Sequence, residues 1–154
     1  AEVDRKRVHI PNQKEIFGNQ LVMDGEDHVL GEEPDLLINA TEIGVNEVLA
    51  LALAYHGTAF PAHVDKSAYS VIASLGAIPP EAGFTAAEIS RNGKLHQLLK
   101  SNPELSSMLL LQNSDAHYLE NMPDPSAWLD LPECSAACLI DAVDQKVKVT
   151  GAWR

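Results

Sequence analysis

One pattern constrains this chain more than any other. Between residues 45 and 117, short apolar runs end at once in polar side chains, and each run is reached through a stretch with helical periodicity. A strand buried on both faces reads as a continuous apolar segment, whereas a surface helix repeats its apolar positions three and four apart. Val45, Val48, Leu49, Ala52 and Tyr55 recur at the second spacing, with Thr41 or Asn46 near the start and Gly57 just past the end, and predict a helix over 45–55. Residues 58–62 then form an apolar run bounded by Gly57 and ending at His63, as a buried parallel strand would. The alternation continues with a helix over 68–75 closed by Gly76, a strand over 85–89 ending at Ser90 and Arg91, and a helix over 94–100. A strand over 108–111 ends at Asn113, Ser114, Asp115 and His117. A strand near 128–131, a helix over 134–143 after Pro132, and a last strand over 146–149 complete the reading. This order specifies an α/β class with mostly parallel strands.

Before residue 45 the chain reads differently. Pro11, Gly18, Gly25, Gly31 and Pro34 punctuate short apolar pieces, so a loop or small hairpin is expected over 1–44. With 154 residues, 45% of them hydrophobic, the chain suffices for one core of ordinary size. It opens on Ala1 and a charged stretch, which suits a piece excised from a longer protein. No apolar run approaches the length of a membrane span and no basic-then-apolar leader opens the chain, so a cytoplasmic protein without a membrane partner is expected. A net charge of −11, with no cluster of Lys and Arg among aromatics, argues against long nucleic acid and for a small-molecule partner. Two cysteines, Cys134 and Cys138, exclude a disulfide scaffold and read as a reduced, partly buried pair on one helix face.

In parallel α/β proteins, ligands gather where strands finish at their carboxyl edge. Three successive strands here end in suitable groups: His63 and Asp65, then Ser90 and Arg91, then Asp115 and His117. Neighbouring strands lie about 4.8 Å apart, so side chains from adjacent ends can meet. Asp115-Ala116-His117 places a carboxylate and an imidazole two residues apart, able to face one pocket if the backbone is extended; both are normal ligands of zinc, manganese and iron.

Several segments resemble a known family. Phe60-Pro61-Ala62-His63-Val64-Asp65 is similar to the PAH(V/I)D element of the bacterial polymerase-and-histidinol-phosphatase (PHP) domain, and Ser114-Asp115-Ala116-His117 resembles its closing SDAH motif. The stretch from Leu75 to Pro80 and Glu88-Ile89-Ser90 look like the same proteins' LGxIP and EIS segments. Upstream, Pro11-Asn12, Phe17-Gly18-Asn19-Gln20 and residues 36–41 fit too, so the likeness runs from about residue 11 to residue 131. It implies a distorted (β/α)7 barrel, of which 1–154 would be a single partial domain, with 1–44 as an irregular lead-in and 45–154 as β/α units. It also implies up to three divalent ions, Zn, Mn or Fe, with His63, Asp115 and His117 each serving a different one. The family's opening D-x-H-x-H element is not recognisable here. The chain would then begin midway through the domain, lack the amino-terminal metal-binding half, and bind metal weakly or not at all.

Plainer roles stand beside these. Asp115 could instead cap a helix, and Asp65 could either cap the helix after it or touch substrate. Arg91 could grip a phosphate oxygen or lie solvated at the surface. Glu88, inside an apolar strand, needs a donor. His28, His56 and His96 read as surface residues, and the acidic stretch from Glu26 to Glu33 as a solvated loop, since it lacks the spacing of a calcium loop. The expectation carried forward is a PHP-type metal-dependent phosphoesterase, a hydrolase of a small phosphate ester or nucleotide when intact. Its metal ligands are His63, Asp115 and His117, with Asp115 catalytic and with Arg91 and Asp65 near substrate. The alternative is a non-catalytic metal- or nucleotide-binding scaffold of PHP-like fold. A half-barrel would expose strand edges, so the chain either self-associates or forms an open sheet covered by helices.

Overall fold

A computed structural model describes residues 2–91, 93–145 and 150–153. The chain divides into two compact units, 1–44 and 45–154.

The first unit holds two single-turn helices, α1 (Glu2–Arg5) and α2 (Lys14–Phe17), and an antiparallel hairpin of β1 (Leu21–Met23) and β2 (Val29–Glu32). Leu21 pairs with Glu32 and Val22 with Gly31, and the register shifts before Met23 meets Val29. None of residues 2–44 is buried. What organises this unit is polar: Arg7 reaches Asp4, Glu33 and Asp35, while the Gln20 amide donates to the carbonyls of Glu33 and Asp35 and accepts from the Leu37 N–H.

The second unit carries α3 (Val45–Ala54), α4 (Val71–Leu75), β3 (Ala86–Ser90), α5 (Leu95–Ser101), β4 (Leu109–Asn113), β5 (Ala127–Asp130), α6 (Ala136–Val143) and β6 (Thr150–Trp153). Its centre is the parallel pair β3–β4, in register from Ala86 opposite Leu109 to Ser90 opposite Asn113. Alternation divides these strands between two clusters. Ala87 and Ile89 join Val64, Ile78 and Leu105, with Leu95, Leu98 and Leu99 of α5 and Val71 and Ile72 of α4 packed against them. Ala86 and Leu111 turn the other way, toward Val143 of α6, with Phe60, Leu109 and Leu129. Both faces of the pair are thus covered, which is why β4 opens on an apolar run and β3 is interrupted within its buried residues only by Glu88. Burying side chains such as Ile89 or Leu105 contributes roughly 1.5–3 kcal/mol each.

Local signals set the helix ends. Ser70 caps α4 by accepting from the Ala73 N–H, and Gly76, at φ 85°, closes it in the left-handed conformation that glycine adopts without penalty. Ser135 caps α6 by accepting from the Cys138 N–H. The helix therefore begins at Ala136 and not at 134. Cys134 is left outside it and exposed, while Cys138 is half-buried, so the two do not share a helix face; both are free thiols.

The distorted (β/α)7 barrel does not form. The described strands make three separate two-stranded sheets, β1–β2, β3–β4 and β5–β6, none of them closed. Two departures account for this. The run at 58–62 joins no regular ladder: Glu88 N–H donates to the Pro61 carbonyl and Val64 N–H to the Glu88 carbonyl, a parallel-type pairing with an extra residue looped out between. The strand near 128–131 pairs antiparallel with β6, outside the parallel sheet. A barrel needs every strand bonded on both edges, and here only one parallel pair exists among the described residues. The PHP assignment is withdrawn with it, as are the phosphoesterase and other hydrolase readings and the alternative of a metal- or nucleotide-binding scaffold with a PHP-like fold. The chain is a small mixed α/β protein. The strand expected at 146–149 lies outside the described residues. No helix among those described is long and apolar enough to cross a membrane.

Candidate metal sites

The carboxyl edge of β3–β4 is where the predicted polar groups arrive. The segment around Pro61 to Val64 flanks β3 on the side away from β4, so three chain segments end side by side. The looped-out residue in the first is His63, at φ 31°, and Asp115, just past β4, sits at φ 53°. Both lie in the left-handed region, which carries a cost of roughly 1–2 kcal/mol for most non-glycine residues and less for an aspartate. Such strain persists where surrounding structure over-determines it, and it concentrates at functional sites.

Each predicted residue has a definite place at this edge. Asp65 is tied to the end of β3: one carboxylate oxygen accepts from the Ser90 N–H at 2.7 Å and the other from the Ser90 hydroxyl. Gly93 permits this packing, since a Cβ there would stand 2.9 Å from the Asp65 carboxylate. Asp65 therefore fastens the turn after residues 61–64 to the end of β3 and caps no helix; the helix that follows starts at Val71, with Ser70 as its cap. Glu88, buried in β3, finds its donor in the Asn113 amide at 2.8 Å, joining the two strands through their side chains. Arg91 is exposed beside a smaller cleft of about 240 Å³ that Gln112, Asn113 and Ser126 also line.

Asp115 is engaged by a residue the sequence reading passed over. The Lys66 ammonium bonds its carboxylate. That hydrogen bond holds the Asp115 carboxyl below the usual carboxylate range; partial desolvation opposes it, and the nearby charges of Lys66, His63 and His117 add to the lowering. His63 and His117 thus lie near enough to Asp115 to act on it electrostatically. They do not close on it as a finished three-ligand cage, because His63, Asp115 and His117 are not among the groups whose ligand atoms all fall within 4.8 Å of one another. Two features of the imidazoles bear on their chemistry. His117 Nδ1 lies 3.0 Å from the Asp115 carbonyl and must carry the proton it donates there, leaving Nε2 with its lone pair. His63 Nδ1 is buried and has no hydrogen-bond partner among the described residues.

The three-ligand spacing is met elsewhere. Asp24, Glu26 and His28, in the turn of the amino-terminal hairpin, are the one group among the described residues with ligand atoms all within 4.8 Å. Asp24 organises that turn, accepting from the N–H groups of Glu26 and His28 at 2.9 Å each and facing His28 Nδ1 at 3.0 Å. These bonds, the His28 backbone N–H first among them, hold the Asp24 carboxyl below its ordinary range against an opposing desolvation. Sequence reading dismissed this stretch as a solvated acidic loop. The available signal was two carboxylates and an imidazole close together at 24, 26 and 28 around Gly25, where an aspartate side chain can fold the turn by accepting from the following N–H groups.

Comparison with known protein families, with curated proteins and with solved structures found no match. The likeness of the segments around His63 and Asp115 to a known domain therefore rests on short motifs alone.

Proposed function

We propose that this protein binds a single divalent transition-metal ion at the carboxyl edge of β3–β4, with His63, Asp115 and His117 as its protein ligands. The observation that carries the reading is the buried, unpartnered Nδ1 of His63. A buried ring nitrogen without a partner costs roughly 1–3 kcal/mol, and a metal ion is a partner that satisfies it. Two supports accompany it. The other imidazole already has its distal nitrogen fixed by a backbone carbonyl, the usual arrangement around a metal-bound histidine, and Asp115 is held as a carboxylate. Two imidazoles and one carboxylate suit zinc, manganese or iron and leave coordination positions for water. On binding, the ion takes over from the Lys66 ammonium as the positive charge beside Asp115. Asp65 has no part in this, its oxygens being engaged by Ser90.

A second reading has its own observation, the 4.8 Å spacing of Asp24, Glu26 and His28. One experiment separates the two. Substoichiometric Mn2+ is added to the protein and the histidine ring resonances are followed by NMR. Paramagnetic broadening of His63 and His117, abolished in Asp115→Asn, is the expected result. Broadening confined to His28, unaffected by Asp115→Asn and lost in Asp24→Asn, moves the ion to the hairpin and refutes the edge site. Uniform broadening of all six histidines refutes both.

A further inference from the structure

On the face of β3 covered by α4 and α5 lies an open cleft of about 550 Å³, bounded by the segment from Val64 to Ser67, by α4 and by residues 93–102. That volume falls within the roughly 300–1,000 Å³ of small-molecule sites. The cleft lies at the carboxyl end of a parallel strand, where α/β proteins place their ligands.

Its floor is apolar, made by Val64, Ile72 and Leu98. Its charges are unequal. Asp65 is the only carboxylate in the lining, and both of its oxygens accept from Ser90. Lys66 is bonded to Asp115. Lys94 remains: it stands exposed at the N-cap position of α5 without a side-chain cap bond, and its ammonium has neither a hydrogen bond nor an ion pair among the described residues. Gln97, three positions on, lies on the same helix face and brings an uncharged donor beside it. In a protein of net charge −11, Lys94 is the one cation lining this cleft without a carboxylate partner among the described residues, and the same cleft has an apolar floor.

We infer that this cleft binds a small organic anion. Its oxyanion head lies against Lys94 and Gln97, and its apolar body lies on Val64, Ile72 and Leu98. The recognition chemistry is shared by carboxylates and phosphate monoesters, so both are probed.

The test follows backbone amide resonances of the whole protein during titration with benzoate and with phenyl phosphate, using benzamide as the uncharged control. Saturable shifts clustered on Lys66, Gly93, Lys94 and Gln97 are expected, and the tighter of the two probes identifies the head group. Lys94→Met keeps the apolar stem and weakens binding roughly ten- to a hundred-fold, the worth of a charge-assisted hydrogen bond. Lys100→Met, on the same helix but outside the cleft, leaves it unchanged. The inference is overturned if benzamide binds as well as benzoate, if Lys94→Met binds like wild type, or if no saturable shift develops below roughly 10 mM. Shifts spread over other surfaces overturn it equally.

Discussion

Replacing Asp65 tests whether this carboxylate is a structural fastener. Asp65→Ala removes two acceptors at once, one for the Ser90 N–H at 2.7 Å and one for the Ser90 hydroxyl. A hydrogen bond to a charged group contributes roughly 1.5–3 kcal/mol, so the pair sets an upper range of about 3–6 kcal/mol. Asp65 is only half-buried, and water reaching the vacated Ser90 N–H restores part of the loss, which brings the expected destabilisation to about 3 kcal/mol. Ser90→Ala removes only the hydroxyl bond and costs about 1–2 kcal/mol. Once Asp65 is gone, the hydroxyl has lost its acceptor. The double variant should therefore be little worse than Asp65→Ala, giving a coupling energy of about 1–2 kcal/mol. Urea unfolding followed by far-ultraviolet circular dichroism measures all four proteins, with the slope checked for constancy. If Asp65→Ala falls within about 0.5 kcal/mol of wild type, or the two changes add within about 0.5 kcal/mol, the Asp65 turn is not joined to the end of β3 through this carboxylate. Asp65 would then be free to meet a ligand.

Two further outcomes follow from packing and charge. Leu105, fully buried between α5 and the sheet, should lose roughly 2–5 kcal/mol on truncation to Ala; a thermal melt showing less than about 1 kcal/mol would mean the site collapses freely or that the cluster is not packed as described. In the amino-terminal unit, the hydrogen bond to Asp35 raises the His9 imidazole above the ordinary histidine range, against a smaller desolvation. Because the folded value is the higher one, the stabilisation is fully present below the unfolded pKa and is lost as pH rises through the folded pKa. An NMR titration should place the His9 midpoint above that of an unstructured histidine peptide, and Asp35→Asn should return it; a midpoint at or below the peptide value refutes the pairing.

Periodicity located the elements well, because within each one the same residues that set the period also make the contacts. The helix expected at 45–55 is α3, and the strands expected at 85–89 and 108–111 are β3 and β4, displaced by a residue or two. What periodicity lacks is pairing. An apolar run of four or five residues says that a segment is buried, not which neighbour it bonds. The run at 58–62 was as apolar as the other two, but the extra residue at His63 breaks its ladder, and the run ending near Leu131 found an antiparallel partner. Closure into a barrel is a statement about pairing alone, so it was the part of the reading least supported by the residues themselves. Cap chemistry was legible in principle, since Ser70 and Ser135 stand where an N-cap belongs; attention to Ser135 would have moved the start of α6 past Cys134.

The site divides along the same line. That the segments carrying His63, Asp115 and His117 finish at one edge is a local condition that does not depend on how the rest of the sheet closes, and their ligand atoms do not reach the spacing of a metal cage there. Which polar groups would be consumed by one another could not be read. Asp65, expected near substrate, is bonded to Ser90 at the neighbouring strand end, while Lys66, an unremarked residue between Asp65 and Ser67, holds Asp115. The consequence for metal binding is energetic. The Lys66 and Asp115 side chains are 42% and 30% exposed, and an ion pair so open to water contributes little. An ion that gains two imidazoles and a carboxylate, and satisfies the buried Nδ1 of His63, has a larger interaction to set against that loss. The lysine is therefore a weak competitor for the carboxylate, and what opposes metal binding is mainly the rearrangement needed to bring both imidazoles onto one centre.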